Sequence, residues 1–313
     1  MTAVGNNLSN AFVTMFGDEV THASQQMQSN LQSAVRTVRG VTGSTYKFPL
    51  LGKAGVIKNK TAHQDIEAMS AIDINTGSSG TLDLDSGTYV GDSTGATAAA
   101  VDVMNTLSKT ATINTYSTGE YIDDFDALKT NVDLRSAYAQ SIAGAMNRAY
   151  DKVIIDALDA GVSGEVLALE DDSGNNELTR ATMVTIHKAL NDKDVPLSDR
   201  WLVVSPAGYA DILADTTMVS AAAGIHSDAL RTGVINNVLG FNVIMSNLLT
   251  TVNTADKRGF AFHKNAVGCG VGKDITTLIN YVPQKLSTLI AAEFSAGAVV
   301  IDPNGVASFG INA

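Results

Sequence analysis

NVDLRSAYAQSIAGAMNRAYDKVIIDALDAG, residues Asn131 to Gly161, reads as one uninterrupted helix, and the other segments are arranged around it. Its apolar positions Leu134, Tyr138, Ile142, Ala145, Met146, Ala149, Val153 and Leu158 recur mostly at spacings of three and four, which marks one stripe for burial. Asn131 or Asp133 is placed to cap the first turn, and Gly161 to end the helix in a left-handed conformation. At about 1.5 Å per residue the rod is on the order of 40 Å long. Neither end carries a reactive group, so the stretch is read as a structural spine.

On the N-terminal side the charge is sharply divided. Between Val20 and Gln64 there is no acidic residue, while Arg36, Arg39, Lys47, Lys53, Lys58 and Lys60 give +6. From Thr61 to Ser108 there is no Lys or Arg, while Asp65, Glu67, Asp73, Asp83, Asp85, Asp92 and Asp102 give −7. Two readings stand side by side: the segments fold on each other within one subunit, or the basic segment of one copy meets the acidic segment of another.

Residues Asn7 to Arg39 carry a helical stripe (Phe12, Phe16, Val20, Met27, Leu31, Ala34, Val35, Val38) on a polar surface, which predicts a helical arm that another chain is suited to cover. Gly40 to Lys60 is broken by Gly and Pro, with short extended pieces at Tyr46–Phe48 and Val56–Lys58. Thr61 to Thr118 is rich in Gly, Ser, Thr and Asp. Its flanks, Ile72 and Ile74 on one side, Leu82, Leu84, Ala111, Ile113 and Thr115 on the other, predict a long hairpin without a core of its own. Such a ribbon needs a partner surface, and its acidity asks for a basic one. The carboxylates of Glu120–Asp126, EYIDDFD, lack the spaced turn geometry of a calcium loop and read as charge at a helix entry.

Beyond the spine, a hairpin is expected around Val166–Leu169 and an amphipathic helix over Thr179–Asn191. WLVVS (Trp201–Ser205) reads as a short buried strand leading into a helix that starts at Pro206 with Ser205 as its cap. Gly233–Leu239 suggests a helical turn, and Gly240–Ser246 and Gly259–His263 suggest further strands. The end is again extended (Leu278–Val282, Leu286–Glu293, Ala298–Ile301), with Asp302–Gly305 as a tight turn in which Gly305 supplies a positive φ, and Val306–Ile311 as the return strand.

No catalytic, cofactor-binding or metal-binding constellation emerges. GCGVGKD (Gly268–Asp274) has Val267 and Asp274 where a phosphate loop needs Gly and Ser or Thr, so its small residues are read as close packing. The five histidines are scattered, Ser205 is not in a nucleophile elbow, and Cys269, the single cysteine, is read as a packed residue that excludes a disulfide framework. The net charge of −11 argues against a surface that grips nucleic acid throughout. The opening MTAVGNNLSNAFVTMFGDEV lacks a secretory pattern, and the most apolar window, Leu289–Ile301, is short and holds Glu293, so no membrane span is expected and a cytosol-like compartment is.

The order of segments resembles the major capsid proteins of tailed bacteriophages, the Hong Kong 97-like fold, an α+β fold. The residues that carry the resemblance are Asn131–Leu158, VPLSDRWLVVSPAGYADILAD (Val195–Asp215), LGFNVIMSN (Leu239–Asn247) and FAFHKNAVGCG (Phe260–Gly270). It implies an N-terminal arm and basic segment in 1–60, an extended loop in 61–118 lying over a neighbouring subunit, and a peripheral domain in 119–195 with its spine at 131–161. It further implies an axial domain in 196–280 around the five- and six-fold axes, and strands returning to the peripheral domain in 281–313.

The implied function is self-assembly, as hexamers and pentamers, into the icosahedral shell of a virion that encloses double-stranded DNA. A scaffolding protein, a portal and assembly in the host cytoplasm come with the resemblance, with packaged DNA contacted non-specifically at most. Candidate intersubunit contacts are Arg36, Arg39, Lys47, Lys53, Lys58 and Lys60 against Asp83, Asp85 and Asp92, together with Arg135 and Arg148 on the spine. The competing readings are another self-assembling subunit (an encapsulin-like compartment, a filament or a surface layer) and an α/β enzyme built on Trp201–Leu213.

Overall fold

The long helix is present as α1 (Leu134–Gly161) in a computed structural model of the chain. The structure describes residues 28–50, 81–82, 89–90, 108–123, 134–162, 167, 177–215, 235, 237–252 and 256–312. The burial stripe of α1 is rotated from the one expected. Ile142, Met146, Tyr150, Ile154, Ile155 and Leu158 are buried, whereas Val153 is half-buried and Tyr138 is 41% exposed. Ile154 and Ile155 are both fully buried because the C-terminal half of the helix is enclosed more widely than one stripe requires.

Before α1 come β1 (Arg36–Arg39), β2 (Thr45–Pro49), the two-residue strands β3 (Thr81–Leu82) and β4 (Tyr89–Val90), β5 (Ser108–Thr112) and β6 (Asn114–Asp123). After it come α2 (Arg180–Asn191), β7 (Arg200–Val204), α3 (Pro206–Ala214), β8 (Asn237–Val238), β9 (Phe241–Met245), β10 (Asp256–His263), β11 (Val267–Val282), β12 (Ser287–Val300) and β13 (Val306–Asn312). Both shorter helices are capped by a hydroxyl: Thr179 accepts from the Thr182 amide at 3.4 Å, and Ser205, as the sequence indicates, from the Gly208 amide at 3.2 Å, with Pro206 opening α3.

Two main sheets form among the described residues. One has the order β1-β11-β12-β6 and the other β13-β10-β7-β9-β8. On the first, β12 alternates: Ile290, Ala292, Phe294 and Ala296 are buried against α1 while Leu289, Ala291, Glu293 and Ser295 are only half-buried. On the second, β7 is covered on both faces. Val203 joins the core under α1, and Leu202 and Val204 join a second core with Met183, Ile186 and Leu190 of α2, Ile212 of α3, and Phe309 and Ile311 of β13. Double coverage is why WLVV reads as a continuous apolar run.

Several expectations are corrected. The helical stripe of the arm does not continue to Val38: residues 28–35 form bends and a turn, and Arg36–Arg39 is a strand parallel to Gly268–Val271. Leu31, Ala34 and Val35 are buried in the core of their own subunit, so no second chain is needed to cover them; the part of the stripe before Gln28 lies outside the described residues. Ala111 pairs with Tyr46 of the basic segment, and Leu82 with Tyr89; Ile72, Ile74 and Leu84 of the expected hairpin lie outside the described residues. Glu120 and Asp123 belong to a strand and the first turn of α1 holds no acidic residue, so these two carboxylates do not serve a helix entry; Asp124 and Asp126 lie outside the described residues. In place of a helical turn ending at Leu239, Asn237–Val238 is a strand paired with β9. Leu167 forms a parallel bridge with Phe309; the rest of the hairpin expected around Val166–Leu169 lies outside the described residues.

The expected boundary at 280/281 falls inside the paired hairpin of β11 and β12, and β13 joins β10 in the second sheet while β12 joins β6 in the first. Gly161 and Gly305 are not left-handed. A Cβ on Gly161 would overlap the Val300 side chain, and one on Gly305 would sit 2.5 Å from the Ala266 Cβ, so both glycines answer to a neighbour and not to a turn.

Candidate assembly surface

The base of the arm is fixed by a carboxylate on α1. Asp151, 2% exposed, accepts from Ser29 Oγ at 2.5 Å, from the Asn30 amide at 3.1 Å and from the Leu31 amide at 3.2 Å. One residue earlier, the Tyr150 hydroxyl lies 3.2 Å from Cys269 Sγ of β11. Burial, followed by the nearby thiol, pushes the Tyr150 hydroxyl far above its ordinary range, and burial likewise raises the thiol of Cys269, so both groups stay protonated and inert. Two turns further along α1, Asp159 accepts from Arg258 Nη1 at 2.7 Å and from Thr250 Oγ1 at 2.6 Å, which ties the helix to β10 and the loop before it. Sequence reasoning passed over both aspartates, because a carboxylate buried by long-range partners looks the same in a sequence as a solvated one.

From this anchor the chain enters β1, whose Arg36 and Arg39 face an open cleft of about 530 Å³ together with Lys264 and Asn265. Arg39 also lies 3.8 Å from Asp274 of β11, with both side chains more than half exposed. Lys47 is exposed on β2. The structure thus brings together Arg36 and Arg39, adds Lys264, and sets Lys47 on a different sheet. Lys53, Lys58, Lys60, Asp83, Asp85 and Asp92 lie outside the described residues. On α1, Arg135 is exposed but Arg148 is half-buried, which corrects its reading as a solvent-side residue; thirteen residues of helix separate them by about 20 Å.

The second feature is the far end of the β11–β12 hairpin. β1 pairs with β11 only as far as Val271. Register shifts then interrupt β11 between Val271 and Thr276, where Lys273 pairs with Glu293. Beyond that irregularity β11 has no second strand neighbour among the described residues, and Leu278, Ile279 and Tyr281 are 46%, 52% and 51% exposed, with Leu286 in the turn at 54%. Across the hairpin, Tyr121 of β6 is 44% exposed and carries Lys285 Nζ 3.8 Å from its ring centroid. LINYV is extended, as the sequence indicates, and its large apolar side chains lie beyond the cover of the core under α1. Large apolar side chains exposed together along one strand are a candidate surface for another chain.

The phage capsid protein family matches residues 8–310. The chain belongs to this family. Similarity to solved structures extends over its length: to a chain of Mycobacterium phage Che8 at 19% identity and a TM-score of 0.64, covering 98% of each chain, and to the capsid of the cyanophage P-SCSP1u at 14% identity and a TM-score of 0.68, covering 99% of this chain and 95% of that one. A virus-like particle from Pyrococcus furiosus is also similar, at 10% identity and a TM-score of 0.52, covering 90% and 92%. No curated relative matches the chain. The α+β architecture is that of the Hong Kong 97-like capsid fold, and the chain is a structural protein of the virion shell, where it assembles as one of many copies.

Proposed function

We propose that this capsid protein closes an icosahedral shell as hexamers and pentamers around a double-stranded DNA genome, with a scaffolding protein and a portal, in the host cytoplasm. It acts by surface complementarity and not by catalysis. The helix α1 and the sheet β1-β11-β12-β6 form the peripheral part, and the sheet around β7 and β10 forms the axial part. The observation that carries this reading is the family match over nearly the whole chain, joined to the exposed apolar side chains Leu278, Ile279 and Tyr281 on the distal part of β11.

Neighbours meet at two places in this reading. The distal part of β11 around Leu278, Ile279 and Tyr281 supplies apolar contact. The cations Arg36, Arg39 and Lys264, with Lys47, Lys53, Lys58 and Lys60, receive acidic residues Asp83, Asp85 and Asp92 of an adjacent copy. Arg135 lies on the helix surface available to neighbours. Contact with packaged DNA is non-specific, consistent with the net charge of −11. A compartment of the same fold that encloses no genome is the second reading; the similarity to a virus-like particle from Pyrococcus furiosus is compatible with it.

Light scattering and negative-stain imaging of the purified protein test the proposal. Closed shells whose yield falls when Asp83 and Asp85 are reversed to Lys, and whose assembly weakens with salt, are the expected result. Open filaments, small oligomers, or an unchanged yield and salt dependence would refute it. Shells that fill with DNA in the presence of a packaging system separate the virion from the compartment.

A further inference from the structure

The loop joining α2 to β7 contains two non-glycine residues in left-handed conformation, Asp194 (φ 56°) and Asp199 (φ 52°), and presents Leu197 at 64% exposure. A segment with two such residues persists only if its surroundings hold it. The holding group is Arg200, 1% exposed at the start of β7. Its Nε donates to Pro196 O at 2.8 Å, and its Nη2 to Val195 O at 2.6 Å and to Asn191 Oδ1 at 2.8 Å. All three acceptors are neutral.

That arrangement dictates a protonation state further on. A guanidinium only donates, so it fixes the Asn191 amide with its oxygen inward and its Nδ2 turned outward. Asn191 Nδ2 lies 2.9 Å from His187 Nδ1 and must donate to it, so Nδ1 of His187 has to be bare. On the other side of Arg200, the register places His263 opposite it, and His263 Nδ1 accepts the Asn265 backbone N–H at 3.2 Å, so that nitrogen has to be bare as well. The Lys264 amide, between them, bonds Asp199 O at 3.1 Å and closes the loop onto β10. The Phe241 ring stands between Arg200, 6.0 Å from its centroid, and the His187 ring, 5.9 Å away and perpendicular.

We propose that Arg200, Asn191, His187 and His263 form a pH-gated latch that holds the 192–199 loop, and Leu197 with it, in one conformation at neutral pH and releases it on acidification. Protonating either ring at Nδ1 replaces an acceptor by a donor facing another donor, next to a permanent cation. Few charges oppose this. Asp199 draws a proton towards His263, Arg200 repels one from both rings, Lys264 adjoins His263, Asp302 lies on the turn bonded to Ala266, and Lys188 and Asp192 near His187 pair with each other at 2.7 Å. The net result is that burial first, and then Arg200, hold both imidazoles below their ordinary value, with Asp199 opposing at His263. With folded-state values depressed, the opened loop binds more protons than the closed one. The latch is therefore fully closed above about pH 6.5 and weakens as the pH falls from there towards the folded-state values.

Hydrogen exchange of the full-length chain, corrected for the intrinsic pH dependence of exchange, tests this between about pH 7 and about pH 5. Opening of 192–199 and of the Lys264 and Asn265 amides is expected to increase by about tenfold or more. The increase should vanish in the His187→Asn, His263→Asn double variant, whose amide oxygens keep the acceptor at the Nδ1 position and cannot titrate. A flat wild-type profile, or a double variant that opens as much as the wild type, overturns the latch. Should the double variant not fold, histidine-selective nitrogen NMR of the wild-type chain decides: bare Nδ1 atoms and titration below the ordinary value support the latch, whereas Nδ1–H tautomers or ordinary titration overturn it.

Discussion

The two main sheets use the same kinds of strand for opposite purposes. The sheet β13-β10-β7-β9-β8 is short-stranded, its strands β10 and β7 largely buried, and Leu202, Val203, Phe260 and Phe309 have no exposure at all. The sheet β1-β11-β12-β6 is longer than the helix and core that cover it. Its proximal half is sealed by α1 and the arm's base, and past the irregularity at Lys273 its distal half stands open with Leu278, Ile279 and Tyr281 exposed. The difference teaches that one sheet is buried in a core along its central strands, while the other extends past its core and presents the apolar surface proposed above for neighbours.

Breaking the short-stranded sheet should have the largest effect on folding. Phe309→Ala removes a fully buried ring between α3 and β10 and is expected to cost about 3–5 kcal/mol, read as a lower urea midpoint at unchanged slope. At the junction of arm and helix, Asp151→Ala strands Ser29 Oγ and two backbone amides and should cost about 2–3 kcal/mol, with hydrogen exchange rising first in residues 29–37. If the arm's base is instead held by burial of Leu31 and Val35 alone, the loss will be well under that. Gly161→Ala forces a Cβ into Val300 and should cost about 1–3 kcal/mol, whereas a left-handed glycine would have predicted strain without any response from β12. The smallest stability change is expected on the distal part of β11. Ile279→Ser with Tyr281→Ser should alter subunit stability by about 0.5 kcal/mol or less, yet sharply reduce shell yield in light scattering. A large loss of subunit stability there would mean the distal part of β11 belongs to the core after all.

Much of the short-stranded sheet and its helices could be read from residues close in sequence. The caps Thr179 and Ser205, the proline at 206, and the unbroken apolar run of Trp201–Val204 each state a local conformation, and the structure agrees with them. The assembly surface was less legible. Arg36 and Arg39 were singled out by charge alone, without Lys264, which reaches their cleft from far along the chain. The stripe through Leu31, Ala34, Val35 and Val38 has helical spacing but belongs to a turn and a strand, because β11 offered parallel backbone partners at Gly268–Val271. Tertiary pairing overrode a local pattern that either conformation could satisfy.

The sequence by itself determined the existence and length of α1, the packed and inert state of Cys269, the small-residue character of Gly268–Gly272, and the resemblance to the capsid family, since each depends on residue type and spacing within one segment. Only the tertiary structure decided which face of α1 is buried, why Gly161 and Gly305 are glycines, and that LINYV is exposed. It also decided that Asp151, Asp159 and Arg200 are interior polar anchors. Those depend on which distant surface arrives at a given point, and burial, steric exclusion and hydrogen-bond satisfaction are properties of the pair of surfaces and not of either segment alone.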